Sequence, residues 1–319
     1  MDLHRKALYN LLKYNYYENP SSFEDVETWQ IEDLSVLSVE ALFSRLQALG
    51  YSISQQQFIE VASSCDNPEE LASFWVKSDK EKDYDQLFLI IFEIWKKLLF
   101  EKQTLCMFCD DLDHLIYLYD TDKLESDEGL QDKLALLLQL LDEHVESGLQ
   151  PQEVFAYFLS YCANDIEMFL FDYISQQLEV ENETYAKELF EGFFSFMKKK
   201  AWFDFLYAKI LSFSDRVAAN KEIELLIEKE IPVDLGLEIL AFLAKTGDRL
   251  LFFSLVKKII KKLKSEEAFC NVLQSIADFY HRFDQKEMER KILQILENRY
   301  QDTTKTIDQD IEKVLAFVK

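Results

Sequence analysis

An all-α fold is what this 319-residue sequence predicts, and three observations carry that expectation. Glycine and proline number only 6 and 4, far below ordinary usage, whereas sandwiches, barrels and doubly wound sheets need those residues at their tight turns. Between the few breakers, apolar residues recur at helical spacing almost everywhere. From about residue 130 onward the helix starts also arrive at a steady interval. Hydrophobic residues make up 49% of the chain, enough for a sizeable core. The glycine shortage further excludes a Gly-rich phosphate loop or a dinucleotide fingerprint.

The expected architecture is an N-terminal helical cluster over 1–120, followed by an α-solenoid of antiparallel helix pairs over 130–319. The first helix covers about 2–17, where Leu3, Ala7, Leu8, Leu11 and Leu12 form one apolar stripe, and Asn19-Pro20-Ser21-Ser22 stops it. A shorter helix fits 22–33, with Phe23, Val26 and Trp29 turned inward. Ser38 caps a helix bearing Ala41, Leu42, Leu46 and Leu49, which Gly50 closes. Ser54 caps the next, and Asn67-Pro68 opens another with proline in its first turn. Between 83 and 119 the pattern turns apolar around the whole circumference (Phe88, Leu89, Ile91, Phe92, Trp95, Leu98, Leu99), which belongs in a core. The acidic stretch 120–128 is the expected boundary.

Beyond it, starts near 130, 152, 166, 183, 203, 217, 233, 248, 266, 284 and 306 leave alternate helices mostly 30–37 residues apart. That interval suits stacked helix pairs, each unable to bury its apolar face alone. Gly148-Leu149-Gln150-Pro151 and Glu230-Ile231-Pro232-Val233-Asp234 supply clear stop-and-start signals. The segment 237–248, ending in Thr246-Gly247-Asp248, resembles the inter-helix turn of tetratricopeptide repeats. The segment 276–284 resembles the same turn one repeat later, with Phe283 in place of the glycine and Phe252 and Met288 where that family has a small residue. HEAT-like repeats have a similar period. The resemblance covers at most 130–319 and implies a concave surface for protein or peptide binding rather than an activity.

The formal net charge is -24, and it is uneven: residues 1–150 carry 12 basic and 30 acidic side chains, residues 151–319 carry 23 and 29. Such a field repels phosphate backbones, so general nucleic-acid binding is not expected. Five widely spaced cysteines (Cys65, Cys106, Cys109, Cys162, Cys270) suit a reducing compartment. No secretory signal follows Met1, and the longest apolar run, Leu87 to Leu99, holds Glu93, Lys96 and Lys97, so neither signal-directed export nor a membrane span is expected. The location expected is the cytoplasm.

Chemistry-bearing patterns are sparse. Cys106 and Cys109 form the only CxxC, and on a helix they share an arc with Asp110 and Asp113. That set offers metal donors but cannot surround an ion from one helix, so the arc is expected to be an acidic outward face, with Leu105, Phe108, Leu112, Leu115 and Ile116 facing the core. The acidic stretch from Asp120 fails as a calcium loop, because Leu124 and Glu125 stand where a donor and a glycine are required. His4, His114, His144 and His281 are scattered, and GxSxG is absent. No catalytic residue, cofactor site or metal ligand is therefore expected.

One feature runs against the acidity. Lys257, Lys258, Lys261 and Lys262, with Lys264 beside them, and the run Lys198-Lys199-Lys200 fall in a stretch (198–264) holding 14 basic and 9 acidic residues. The lysines complement a helix C-terminus, or form a contact patch for an acidic partner, the chain's own acidic half or an anionic lipid surface. The clusters Phe193-Phe194-Ser195-Phe196 and Trp202-Phe203-Asp204-Phe205 are read as core filling, with some rings left to line a groove. The function expected is that of a non-enzymatic interaction or scaffold protein that binds another protein or peptide on a concave helical surface. Lys257, Lys258, Lys261, Lys262 and Lys264 are the candidate contacts, and a small-molecule substrate is not expected. An enzyme with a dispersed site and an acidic secretion chaperone or effector are the alternatives.

Overall fold

The computed structural model describes residues 3–23, 25–76, 81–301 and 307–318. Among these there are eighteen α-helices and no strand. The chain divides into two compact units, residues 1–169 and 170–319. The first holds α1 (Arg5–Glu18), α2 (Thr28–Ile31), α3 (Val39–Ala48), α4 (Gln55–Ser63), α5 (Pro68–Trp75), α6 (Glu81–Leu98), α7 (Leu105–Asp120), α8 (Glu128–Glu146) and α9 (Pro151–Leu159). Helix α10 (Ile166–Glu179) contains the division point. The second unit continues with α11 (Glu183–Phe193), α12 (Lys200–Ser214), α13 (Arg216–Glu228), α14 (Val233–Thr246), α15 (Arg249–Ile259), α16 (Glu266–Arg282), α17 (Lys286–Gln301) and α18 (Asp308–Phe317).

In the first unit the caps read from the sequence are formed. Ser38 Oγ accepts from Ala41 N at 3.2 Å, and Asn67 Oδ1 accepts from Glu70 N at 2.8 Å with Pro68 opening the helix. Ser54 and Gln57 satisfy each other's backbone amides in a capping box. The helix expected over 22–33 shrinks to the single turn α2, because Asp33 caps a separate 3₁₀ turn, Leu34–Val36. Helix α6 is buried on every side from Leu87 to Trp95, covered by α3, α5 and that 3₁₀ turn. Leu42, Leu46, Phe58 and Leu71 complete this core. The acidic stretch closes α7: Asp122 is left-handed (φ 54°), and Lys123 N donates to Leu118 O at 2.8 Å.

One expectation is corrected here. The arc of α7 carrying Cys106, Cys109, Asp110 and Asp113 faces inward, and all four residues are buried. The helix is enclosed on two faces, because α1 packs against it from one side and α8 from another. Cations offset the acids. Asp110 meets Lys6 Nζ at 3.1 Å, Lys96 Nζ at 2.7 Å and Asn10 Nδ2 at 2.9 Å. Lys6 also reaches Glu93 at 3.5 Å, and Asp111 joins Lys96 to Lys133. Burial opposes both charges, but the Lys6 and Lys96 ammonium groups outweigh it and hold the Asp110 carboxyl well below the usual carboxylate range. Asp113 meets no cation among the described residues. It accepts from Ala163 N at 2.7 Å, Asn164 N at 3.1 Å and Asn164 Nδ2 at 2.8 Å, which anchors the turn after α9 to α7. Burial pushes its carboxyl up to about 7.

The second unit is a succession of antiparallel pairs, α12/α13, α14/α15 and α16/α17, with α12, α14 and α16 as neighbours and α13 beside α15. Every helix start from α8 to α18 lies within three residues of the position read from the periodicity. Rings lock the pairs together. Phe252 of α15 stacks on Phe279 of α16 at 4.2 Å and 6°, and Phe205 of α12 meets Phe242 of α14 edge-on at 5.7 Å. Gly236 lets α14 approach α15, since a Cβ there would overlap Ile259. Asp248 caps α15 from the Gly247 junction, and Asp284 is left-handed (φ 53°) in the α16–α17 junction. Buried Arg299 joins three helices through Glu266 (Nη2–Oε2 2.6 Å) and Asp310 (Nη1–Oδ2 2.7 Å). No helix among the described residues is long and apolar enough to cross a membrane.

Asp113 gives the fold a testable pH signature. Its folded pKa lies above the unfolded value near 3.8, so folding favours the protonated form and this group's contribution weakens as pH rises from 4 to 7. Urea denaturation should show Asp113→Asn gaining on the wild type across that window. Asp113→Ala, which removes the acceptor of two part-buried amides, should lose about 2–4 kcal/mol at pH 4, the deficit shrinking toward pH 7.

Candidate functional site

The second unit carries a groove of about 520 Å³ built from three alternate helices, α10, α12 and α14. Helical periodicity places its lining. Phe205, Lys209, Ser212 and Phe213 stand on one face of α12 at spacings of four, three and one, and Glu238, Ala241, Phe242 and Lys245 stand on one face of α14. Leu178 and Glu179 close one side from the end of α10, and Arg216 and Thr246 come from the inter-helix junctions. The volume is that of a site for a side chain or a short peptide segment.

The floor is aromatic and the walls are charged. Phe205 and Phe242 pack edge to face beneath Lys209, whose Nζ lies 5.9 Å from the Phe205 ring centroid and 5.8 Å from that of Phe171. Burial lowers the Lys209 pKa, with Glu179, Glu238 and Asp172 pulling it back up and Lys245 adding to the fall. The hydroxyls are already engaged: Ser212 Oγ donates to Lys209 O at 2.7 Å and Thr246 Oγ1 to Phe242 O at 3.0 Å. The other side chains lining the groove include three cations (Lys209, Arg216, Lys245), two carboxylates (Glu179, Glu238) and the rings. The groove is locally cationic in a chain of net charge -24.

Several apolar side chains are exposed at the helix junctions of this unit. Val217 and Leu250, the second residues of α13 and α15, are each 81% exposed. Phe213 and Phe283 are about half exposed at the ends of α12 and α16. These residues recur at the α12–α13, α14–α15 and α16–α17 junctions, the same end of each successive pair.

The lysines singled out in the sequence lie elsewhere, and they separate into two kinds. Lys258 Nζ donates to the carbonyls of Ile227 and Lys229 (2.6 Å to the latter), satisfying the C-terminus of α13, and Lys262 pairs with Glu230 at 3.1 Å. Lys257, Lys261 and Lys264 are exposed. Of the aromatic clusters, Phe193, Phe196 and Phe203 fill the core, Phe194 is exposed and Phe205 floors the groove. The CxxC thiols diverge, with Cys106 Sγ 3.6 Å from His4 Nδ1 and Cys109 beside Cys162. His114 is exposed, His144 Nδ1 sits 2.7 Å from Leu140 O, and His281 meets Glu289 at 3.0 Å. What the sequence reading missed is the pairing of α12 with α14. A charged residue inside an aromatic run, Lys209 after Phe203, Phe205 and Tyr207, was its one visible trace.

The two kinds of lysine separate experimentally. Lys258→Ala strips the α13 carbonyls of their donor and should cost about 1 kcal/mol, or about 2 °C in thermal unfolding. Lys257→Ala should leave the midpoint unchanged.

Known proteins add no analogy to this geometry: no family model, no curated protein and no solved structure matches the chain.

Proposed function

We propose that this protein is a non-enzymatic interaction or scaffold protein whose second unit binds a segment of another protein in the groove between α10, α12 and α14. The observation that carries this reading is the combination of an aromatic floor with Lys209, Arg216 and Lys245 around it. An apolar side chain buried on Phe205 and Phe242 supplies affinity, and neighbouring Asp or Glu residues on the ligand meet the three cations. Glu179 and Glu238 orient the segment by repelling its acidic side from their wall. Exposed Phe213, Val217, Leu250 and Phe283 extend the contact at the helix junctions. Lys257, Lys261 and Lys264 give an acidic partner a second, weaker attachment. The repeated helix pairs suit this role, as tetratricopeptide-like or HEAT-like arrays suit peptide binding. Five free cysteines accord with a reducing, cytoplasmic setting.

Selection of a random peptide display library on the full-length chain tests the proposal. Recovered peptides should share an aromatic or large aliphatic residue beside Asp or Glu. Their affinity should fall about tenfold or more, about 1.4 kcal/mol, in Lys209→Glu and in Lys245→Glu. Lys187→Glu, on the exposed face of α11, should leave it unchanged. Recovery of no common motif, or binding indifferent to the groove substitutions, overturns the reading.

A further inference from the structure

Three donor groups of different chemistry converge in the first unit, away from the groove. His4 lies in the extended segment before α1, held there by its own amide, which donates to Ser160 O at 2.7 Å. Glu69 is the second residue of α5, and Cys106 is the second residue of α7. His4 Nε2 is 3.2 Å from Glu69 Oε1, and His4 Nδ1 is 3.6 Å from Cys106 Sγ. One donor atom from each lies within 4.8 Å of the other two. We propose that His4, Glu69 and Cys106 form a zinc site with three protein ligands and an open fourth position.

Several observations support a cation here. Glu69 Oε1 is sealed from solvent and points into the cluster, 3.2 Å from His4 Nε2. A cavity of about 360 Å³, lined by His4, Arg5, Glu69, Tyr84, Ser160 and Tyr161 among others, opens beside His4 and Glu69 and leaves room for a fourth ligand such as water. The ring of Tyr161 stacks on His4 at 4.4 Å and 19°, fixing the imidazole plane.

The chemistry balances. Zn²⁺ replaces the Cys106 proton, which passes to the buffer, and the resulting thiolate and the Glu69 carboxylate together neutralise the ion. A neutral assembly is the one this buried place accommodates at least cost. Sulfur, imidazole and carboxylate suit zinc and not calcium or magnesium, which take oxygen ligands. Tetrahedral bonds of about 2.0–2.3 Å place donors roughly 3.3–3.8 Å apart, so the cluster tightens by about 1 Å through side-chain rotation when the ion binds. This set is distinct from the CxxC pair, because Cys109 turns to Cys162 and takes no part.

Cobalt(II) substitution of the full-length chain, stripped with a chelator, tests the proposal. The wild type should bind one equivalent, with a thiolate-to-cobalt charge-transfer band and the intense visible bands of four-coordinate cobalt, and zinc should displace both. Cys106→Ser should abolish the charge-transfer band. Glu69→Gln and His4→Ala should each weaken zinc binding at least tenfold, and Cys109→Ser should change nothing. Wild-type protein showing only the weak bands of six-coordinate cobalt, or a charge-transfer band that survives Cys106→Ser, overturns the site. The wild-type spectrum decides the matter even where a variant fails to fold.

Discussion

Burial of aromatic rings between neighbouring helices is the interaction on which both units depend. A fully buried large apolar side chain contributes about 1.5–3 kcal/mol, against about 0–1 kcal/mol for an exposed ion pair. Trp95, Phe88, Phe92 and Phe58 in the first unit, and Phe203, Phe205, Phe252 and Phe269 in the second, are all wholly buried. Pairs such as Lys187–Glu191 and Lys286–Asp284 lie on the surface and add little beside them. The rings also explain the groove. Phe205 and Phe242 meet edge-on and bind α12 to α14 at one level, and the volume above their contact is bounded by charged side chains that do not fill it.

Charge serves two different purposes in the two units. In the first it is taken inside, where Lys6, Lys96, Asp110 and Glu93 are mutually paired and Asp113 is held by amides. Removing both partners of such a buried pair is often tolerated, but removing one leaves a naked charge, so networks of this kind fix a particular arrangement more than they add net stability. In the second unit, the buried Arg299–Asp310 pair apart, the described charges stay mostly at rims and helix ends. Lys209 stands between these regimes. Partly buried over rings and flanked by Glu179 and Glu238, it has its pKa lowered by burial while those carboxylates pull it back up.

The helices were legible because their signals are local. Ser38, Ser54, Asn67 and Asp248 cap where their chemistry says they should, and Pro68 and Pro151 each open a helix at its first position. Helix α7 was misread for a physical reason. Periodicity reports one apolar arc and assigns the opposite one to solvent, yet a helix enclosed by α1 and α8 buries both, and only its partners' lysines reveal that the acidic arc is accommodated. Lys258 illustrates the same limit, since its acceptors are carbonyls of the preceding helix about thirty residues away. The groove and the His4–Glu69–Cys106 cluster each draw on three separate segments, and no spacing within one segment encodes such a meeting.

The central claim is that alternate helices of the second unit present a recognition groove. Amide hydrogen exchange across the full chain, with and without a bound acidic-aromatic peptide, tests it most directly. The account predicts slowed exchange at the α12–α13 and α14–α15 junctions, around residues 211–217 and 243–250, with the α7–α8 region unaltered. Protection centred on 128–146, or on 257–264 alone, would contradict it.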